Sequence, residues 1–311
     1  MEYYFQRYGD LELHRRMIAD RPRTDAFVRA IAAVVRPQDV VLDVGTGTGI
    51  LAMVAARSGA KQVYAIDNAE IIQTAANLAK ANGLSKKIRF FRGLASDLIL
   101  PQKADLIVSE WLGNLALVEG MLEDLVAVRD RNLARGGRML PAKVDVVLAP
   151  LDDMVLFTRE GPGFWREPVS GLDFSSLEGV ELGQGRATQL RIDAAALLAP
   201  GKAMRALDLR RVRAKDAWGK GVLELEVRRD GVLNGFGGWF VADLGGGVVL
   251  DTGPGHPETH WAQTYLPFPP RLVRRGSRLR VAYRLEADQG ERRHVRLELK
   301  VGKTVQEYLL E

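Results

Sequence analysis

The sequence contains no cysteine and only four histidines, and both scarcities remove chemistry. Without thiols there is no disulfide, no cysteine nucleophile and no thiolate metal site. His14, His256, His260 and His294 show no metal-ligand spacing, so no metal is expected. No apolar run reaches the ~20 residues that span a bilayer. The opening Met1-Glu2-Tyr3-Tyr4 lacks the basic and then apolar profile of a secretory signal. A cytoplasmic protein without a membrane partner is the expectation. Internal repeats and low-complexity segments are missing too.

What is present fits two globular domains. A chain of 311 residues with 47% hydrophobic content can bury two cores of ordinary size. The net charge of +5 permits an acidic partner without requiring one, and nucleic acid is not expected. Between Arg271 and Lys303 there are eleven Lys or Arg against four Asp or Glu. Several alternate with apolar residues, as in Arg278-Leu279-Arg280-Val281, so they read as the solvated face of strands.

The chain is organised around Val40-Val41-Leu42-Asp43-Val44-Gly45-Thr46-Gly47-Thr48-Gly49-Ile50-Leu51. A short apolar run with one acid ends in alternate glycines and continues at helical spacing, which reads as buried strand, tight turn and helix. Glycine there supplies positive φ and lets a ligand lie against bare backbone at a helix N-terminus. The dinucleotide fingerprint places its last glycine at the sixth position, which here is Ile50, so the turn is not that fingerprint. Asp-Val-Gly-Thr-Gly-Thr-Gly is similar to the first motif of class I methyltransferases, which bind S-adenosylmethionine.

Around this turn the elements alternate. A helix over Ala26 to Val35 stops before Pro37, and a second strand, Lys61 to Asp67, closes on an acid. Asp67 thereby stands at the tip of the neighbouring strand, where a carboxylate can accept both hydroxyls of a ribose. Helix over Glu70 to Asn82 and strands over Ile88 to Arg92 and Ala104 to Ser109 complete a parallel, doubly wound, Rossmann-like α/β sheet. Ligands of such sheets lie beyond the carboxyl ends of the strands. At that edge runs Ser109-Glu110-Trp111-Leu112-Gly113-Asn114-Leu115-Ala116-Leu117-Val118-Glu119, two acids flanking an otherwise apolar loop. Unpaired acids are costly to bury, which favours a functional pair. The plainer alternative is that Glu119 opens a helix over Glu119 to Val128 and favours its dipole.

The double-acid loop resembles that of the protein arginine methyltransferases, and two more stretches extend the likeness. Tyr4-Phe5 with Tyr8, His14, Met17, Asp20 and Arg23-Thr24 are similar to the family's N-terminal helices, and Thr259-His260-Trp261 to its Thr-His-Trp loop. The resemblance implies methyl transfer from S-adenosylmethionine to arginine in a protein or peptide. It implies cofactor contacts from Tyr4, Tyr8, His14, Met17, Arg23, Asp43, Gly45, Gly47, Gly49, Asp67, Ala95, Ser96 and Glu110, with Arg23 on the methionine carboxylate and Asp43 on the ammonium. Glu110 and Glu119 would hold the guanidinium, His260 with Asp20 would take the proton, and Met121, Trp261 and Asn114 would face the substrate. Two carboxylates suit that acceptor physically: they can bind a guanidinium in a fork, draw its charge to one side and leave one nitrogen aimed outward. Asn114 replaces the family's usual Tyr, and Ser96 stands where relatives often carry Glu, so the substrate wall and adenine contact differ. A small guanidino or amine acceptor, or a silent cofactor-binding relative, are the alternatives.

Gly136-Gly137-Arg138-Met139-Leu140-Pro141 marks the boundary between domains 1–141 and 142–311. Beyond it short alternating segments, among them Val144 to Leu148 and Val295 to Val301, suggest a β-barrel. Thr158 to Leu177, with Phe164, Trp165 and Phe174, lacks strand alternation. The resemblance implies a dimerisation arm at 158–177, and hence a homodimer; an ordinary loop with its own apolar cluster is the alternative.

Overall fold

The computed structural model describes residues 11–185, 187–291 and 293–311. Tyr4 and Tyr8, tied above to the cofactor, lie outside the described residues.

The first half alternates as expected: α1 (Leu11–Ala19), α2 (Arg21–Val34), β1 (Val40–Val44), α3 (Ile50–Arg57), β2 (Gln62–Asp67), α4 (Ile71–Ala81), β3 (Ile88–Arg92), β4 (Ala104–Val108), α5 (Leu122–Asn132) and β5 (Leu133–Leu140). The strands form one parallel sheet in the order β3-β2-β1-β4-β5. β1 is buried along its whole length, which is why its sequence is a continuous apolar run rather than an alternation. The order reverses direction between β1 and β4, so the crevice at their carboxyl ends is the natural ligand site. The glycine turn leaves β1 there and the Glu110 loop leaves β4 there. Gly136 does not end its element. With φ +79° it forms a bulge within β5, where the register against β4 shifts between Ala104 and Leu106.

The chain changes sheets between Leu140 and Lys143. The strand-rich second half forms two antiparallel sheets. One holds β6 (Lys143–Leu151), β7 (Thr188–Leu190), β8 (Lys202–Asp208), β10 (Gly231–Gly245), β11 (Val248–Asp251) and β12 (Gln263–Val273). The other has β9 (Gly219–Glu226), β13 (Arg278–Ala287), β14 (Val295–Val301) and β15 (Thr304–Leu310), in the order β15-β14-β13-β9. The late basic residues fall where alternation put them. Arg278 and Arg280 are exposed and lie opposite Glu226 and Glu224, while Leu279 and Val281 between them are buried.

Residues 158–177 form neither strand nor plain loop. They run from α6 (Met154–Arg159) through a 3₁₀ turn (Pro162–Arg166) to α7 (Ser176–Gln184). Trp165 packs edge-on to Phe164 and donates to Glu181 Oε2 at 2.5 Å, while Arg166 pairs with Glu178. Val155, Phe164, Val169, Leu172 and Val180 stay exposed.

Arg129 ties α5 to the second half. Its guanidinium is buried and Nη1 donates to the carbonyls of Leu209 and Val212, at 2.9 and 2.7 Å. Arg129→Met is expected to destabilise the protein by roughly 2–4 kcal/mol, since two carbonyls lose a charged donor. Urea unfolding midpoints test this, and an unchanged midpoint would remove the brace.

Candidate active site

A cavity of about 330 Å³ opens at the carboxyl ends of β1 and β4. Gly45 and Gly47 from the turn after β1 line it, with Asp67 from the end of β2 and Ala95 and Ser96 from the segment after β3. Glu110, Asn114, Glu119 and Met121 come from the loop after β4. His14, Met17 and Arg23 enter from α1 and α2, and His260 and Trp261 from the loop before β12. Residues more than two hundred positions apart thus share one space.

The pair Asp20 and His260, whose contact sequence spacing cannot supply, is made. Asp20 is the N-cap of α2 and accepts the Arg23 N–H through Oδ1 at 3.1 Å. Its Oδ2 accepts the backbone N–H of His260 at 2.8 Å and lies 2.7 Å from His260 Nδ1. Burial pushes the Asp20 carboxyl up, but the hydrogen bonds from His260 and Arg23 outweigh it and hold the group below the usual carboxylate range. An ionised Asp20 calls for the proton on Nδ1, leaving Nε2 as the imidazole acceptor.

Glu110 is held by Arg23. Nε and Nη2 both meet Oε2, at 3.0 and 2.5 Å, Nη1 donates to Met17 O, and Glu110 Oε1 accepts from Leu112 N. The contact found for Arg23 is therefore the glutamate. Glu119 does not open a helix. α5 begins at Leu122, and Glu119 sits before it at φ +87°, following Leu115 and Ala116 at +51° and +63°. Three non-glycine residues with positive φ in one loop are strained, which marks a segment held by its surroundings. Gly113 is obligatory, because an added Cβ would lie 1.8 Å from Val118 O. Trp261 braces the loop by donating Nε1 to Leu112 O at 2.7 Å, and its ring packs edge-on to Phe240.

Two residues assigned to the cofactor are absent from the cavity wall. Gly49 caps α3 at φ +79°, and a Cβ there would meet Ala75 Cβ at 3.1 Å, so its bare backbone makes room for α4. Asp43 is 1% exposed beneath the turn, where Oδ2 accepts from the Thr46 hydroxyl at 2.6 Å and Ala52 N at 3.0 Å. Its Oδ1 has no hydrogen-bond partner among the described residues. Asp67, which does line the cavity, suits a diol. Asp67 uses one oxygen each for Gly47 N and Ala69 N, with lone pairs to spare. These features fit S-adenosylmethionine. Of residues the sequence reading omitted, Gln189 of β7 also reaches the wall; no motif marks it, because only strand pairing with β12 brings it there.

Burial raises the Asp43 carboxyl to about 7, against the opposing bonds from Thr46 and Ala52 and with a smaller push from Asp67. A carboxyl raised in the folded state holds its proton longer there than in the unfolded chain, so ligand-free stability falls as pH rises from about 4 to about 7. Asp43→Asn removes that slope. Relative to the parent, its unfolding free energy should gain by up to about 4 kcal/mol across this window. Denaturation at pH 4.5 and 7.5 without ligand measures the difference, and equal slopes would contradict the assignment.

Comparison with known proteins places this geometry. Residues 20–139 match the family model described as Ribosomal protein L11 methyltransferase (PrmA), and residues 145–306 that described as Arginine methyltransferase oligomerization subdomain. The chain is 34% identical to protein arginine N-methyltransferase 1 of Schizosaccharomyces pombe, over 85% of this chain and 78% of that protein. Its fold is similar to a Trypanosoma brucei PRMT1 enzyme–prozyme heterotetrameric complex with AdoHcy, with TM-score 0.89, 27% identity, and 98% and 99% of the two chains covered. It is similar also to Arabidopsis thaliana protein arginine methyltransferase 10, with TM-score 0.87, 26% identity, and 99% and 100% covered. With a glycine turn and a double-glutamate loop meeting in one crevice, and with this likeness along most of its length, the chain belongs to the protein arginine methyltransferase family.

Proposed function

We propose that the protein transfers a methyl group from S-adenosylmethionine to a guanidino nitrogen of arginine in a protein or peptide. The observation that carries this reading is that Glu110 and Glu119 line the same cavity as the glycine turn after β1. S-adenosylmethionine, when bound, supplies an electrophilic methyl group on a sulfonium. His14, Met17, Arg23, Gly45, Gly47 and Asp67 are the residues that would hold it, with Ala95 and Ser96 towards the adenine, while Asp43 supports the glycine turn from beneath.

The remaining work belongs to side chains of this protein. Glu110 and Glu119 bind the acceptor guanidinium, draw its positive charge towards themselves and orient the opposite nitrogen. Orientation of this kind contributes on the order of 7–11 kcal/mol to barrier lowering in favourable cases. Arg23 fixes Glu110 through Oε2. His260, oriented by Asp20, accepts the released proton at Nε2. Met121, Asn114 and Trp261 bound the acceptor side, where an amide at position 114 makes a less aromatic wall.

We take residues 1–141 as the cofactor unit and 142–311 as a barrel-like substrate unit built from the two antiparallel sheets. The exposed apolar side chains of 158–177 and of α6 and α7 beside it support a homodimer through this arm.

Glu110→Gln is expected to lower turnover on the order of a hundred- to a thousandfold while cofactor binding by calorimetry survives. Transfer of labelled methyl from S-adenosylmethionine to a protein lysate, followed by hydrolysis, should return methylated arginine. Label confined to small molecules, or undiminished turnover in the variant, would sink the reading. For the arm, sedimentation should give about twice 34.3 kDa, and a fully active monomer would count against it.

A further inference from the structure

The cavity offers an acceptor two kinds of polar group. Glu110 and Glu119 are carboxylates, suited to a cation, whereas Asn114 and Gln189 bring neutral amides to the same wall. Neither amide is hydrogen-bonded among the described residues; Gln189 is exposed and Asn114 half-buried. Strand register sets the place of Gln189. β7 is the edge strand of its sheet, and β12 lies between it and β10. Thr264 of β12 is opposite Gln189 on one side and Gly238 of β10 on the other. Side chains directly opposite one another share a face, so these three positions form one row across the sheet. Leu115, which follows Asn114 in the glutamate loop, rests on that row: a Cβ at Gly238 would lie 2.6 Å from Leu115 Cδ1 and 3.8 Å from Thr264 Cβ. With strands about 4.8 Å apart, Gln189 stands roughly 10 Å along the row from the seat of the loop.

We propose that Gln189 is a specificity-determining residue that hydrogen-bonds a main-chain peptide group beside the acceptor arginine, so that the site selects arginine within a chain over a free guanidino compound; this deepens, and rests on, the reading of the protein as an arginine methyltransferase. A peptide group carries one N–H and one C=O, and a side-chain amide carries the complementary acceptor and donor. A third carboxylate there could only accept, and would compete with Glu110 and Glu119 for the guanidinium. An apolar residue would leave the peptide group unpaired. The arginine stem separates guanidinium from main chain, so a peptide group is met away from the glutamates, where the wall is made of amides. The edge position suits this use, because among the described residues no strand lies beyond β7.

The test uses the full-length enzyme, an arginine peptide, and two analogues in which the peptide bond on either side of the arginine is replaced in turn by an ester. Gln189→Leu nearly conserves side-chain volume, and at an exposed position it should leave the thermal midpoint unchanged. Its KM for the amide peptide should rise about three- to tenfold, the scale of one neutral hydrogen bond, with kcat and the KM for S-adenosylmethionine within about twofold of the parent. One of the two esters should cost the parent a similar factor, yet cost Gln189→Leu less than about twofold, because the group that read the bond is already gone. A parental KM in Gln189→Leu, or ester penalties absent from the parent or equal in both proteins, would overturn the proposal while leaving methyl transfer to arginine in place. No methylation of the arginine peptide by the parent would overturn the reading it rests on, and the role of Gln189 with it.

Discussion

The structure depends on holding carboxylates at the floor of a crevice where water gives them little help. Desolvated acids repel one another and are costly unless each has a partner. Here partners come from three directions. Arg23 reaches Glu110 from the N-terminal helices, Trp261 grips the loop at Leu112 O, and the Arg293 carbonyl takes the Glu119 N–H. None of these supports belongs to the loop itself. The loop is strained at Leu115, Ala116 and Glu119, and keeps its shape because parts distant in sequence agree on it.

The same principle explains why the two halves are needed together. The parallel sheet supplies the switch point between β1 and β4, and with it a cradle for a cofactor. The strand-rich half supplies His260, Trp261 and the β13–β14 turn. α2 joins them, since its N-cap Asp20 bonds to His260 while Arg23, one turn on, bonds to Glu110. A cap residue ordinarily serves only its helix. Here its second oxygen orients an imidazole 240 positions away in sequence.

Several side chains have different neighbours from those a motif suggests. Gly49 sits in the glycine pattern yet makes room for Ala75, and Asp43 braces the turn from below through Thr46 and Ala52. Both follow from packing density: a tight turn over a buried strand needs internal bracing as well as an open face. Arg23, expected on a ligand carboxylate, already has a carboxylate partner in Glu110. Glu119, which could have started a helix, precedes it by three residues because the loop first has to turn its backbone back on itself.

Sequence by itself determined the alternation of helix and strand up to Arg92, the glycine turn at the end of β1, the acid at the end of β2 and the two glutamates after β4. These are local patterns, fixed by apolar periodicity and by residues whose φ is constrained, and so they are legible without partners. It also carried the family resemblance, because the double-glutamate loop and Thr259-His260-Trp261 are contiguous motifs. Sequence could not say which residues meet. The contact of Asp20 with His260, the pairing of Arg23 with Glu110, the arrival of Gln189 at the cavity and the grip of the β13–β14 turn on Glu119 are long-range pairings. They were decided by the tertiary structure, since only the packing of the two halves brings those groups within hydrogen-bonding distance.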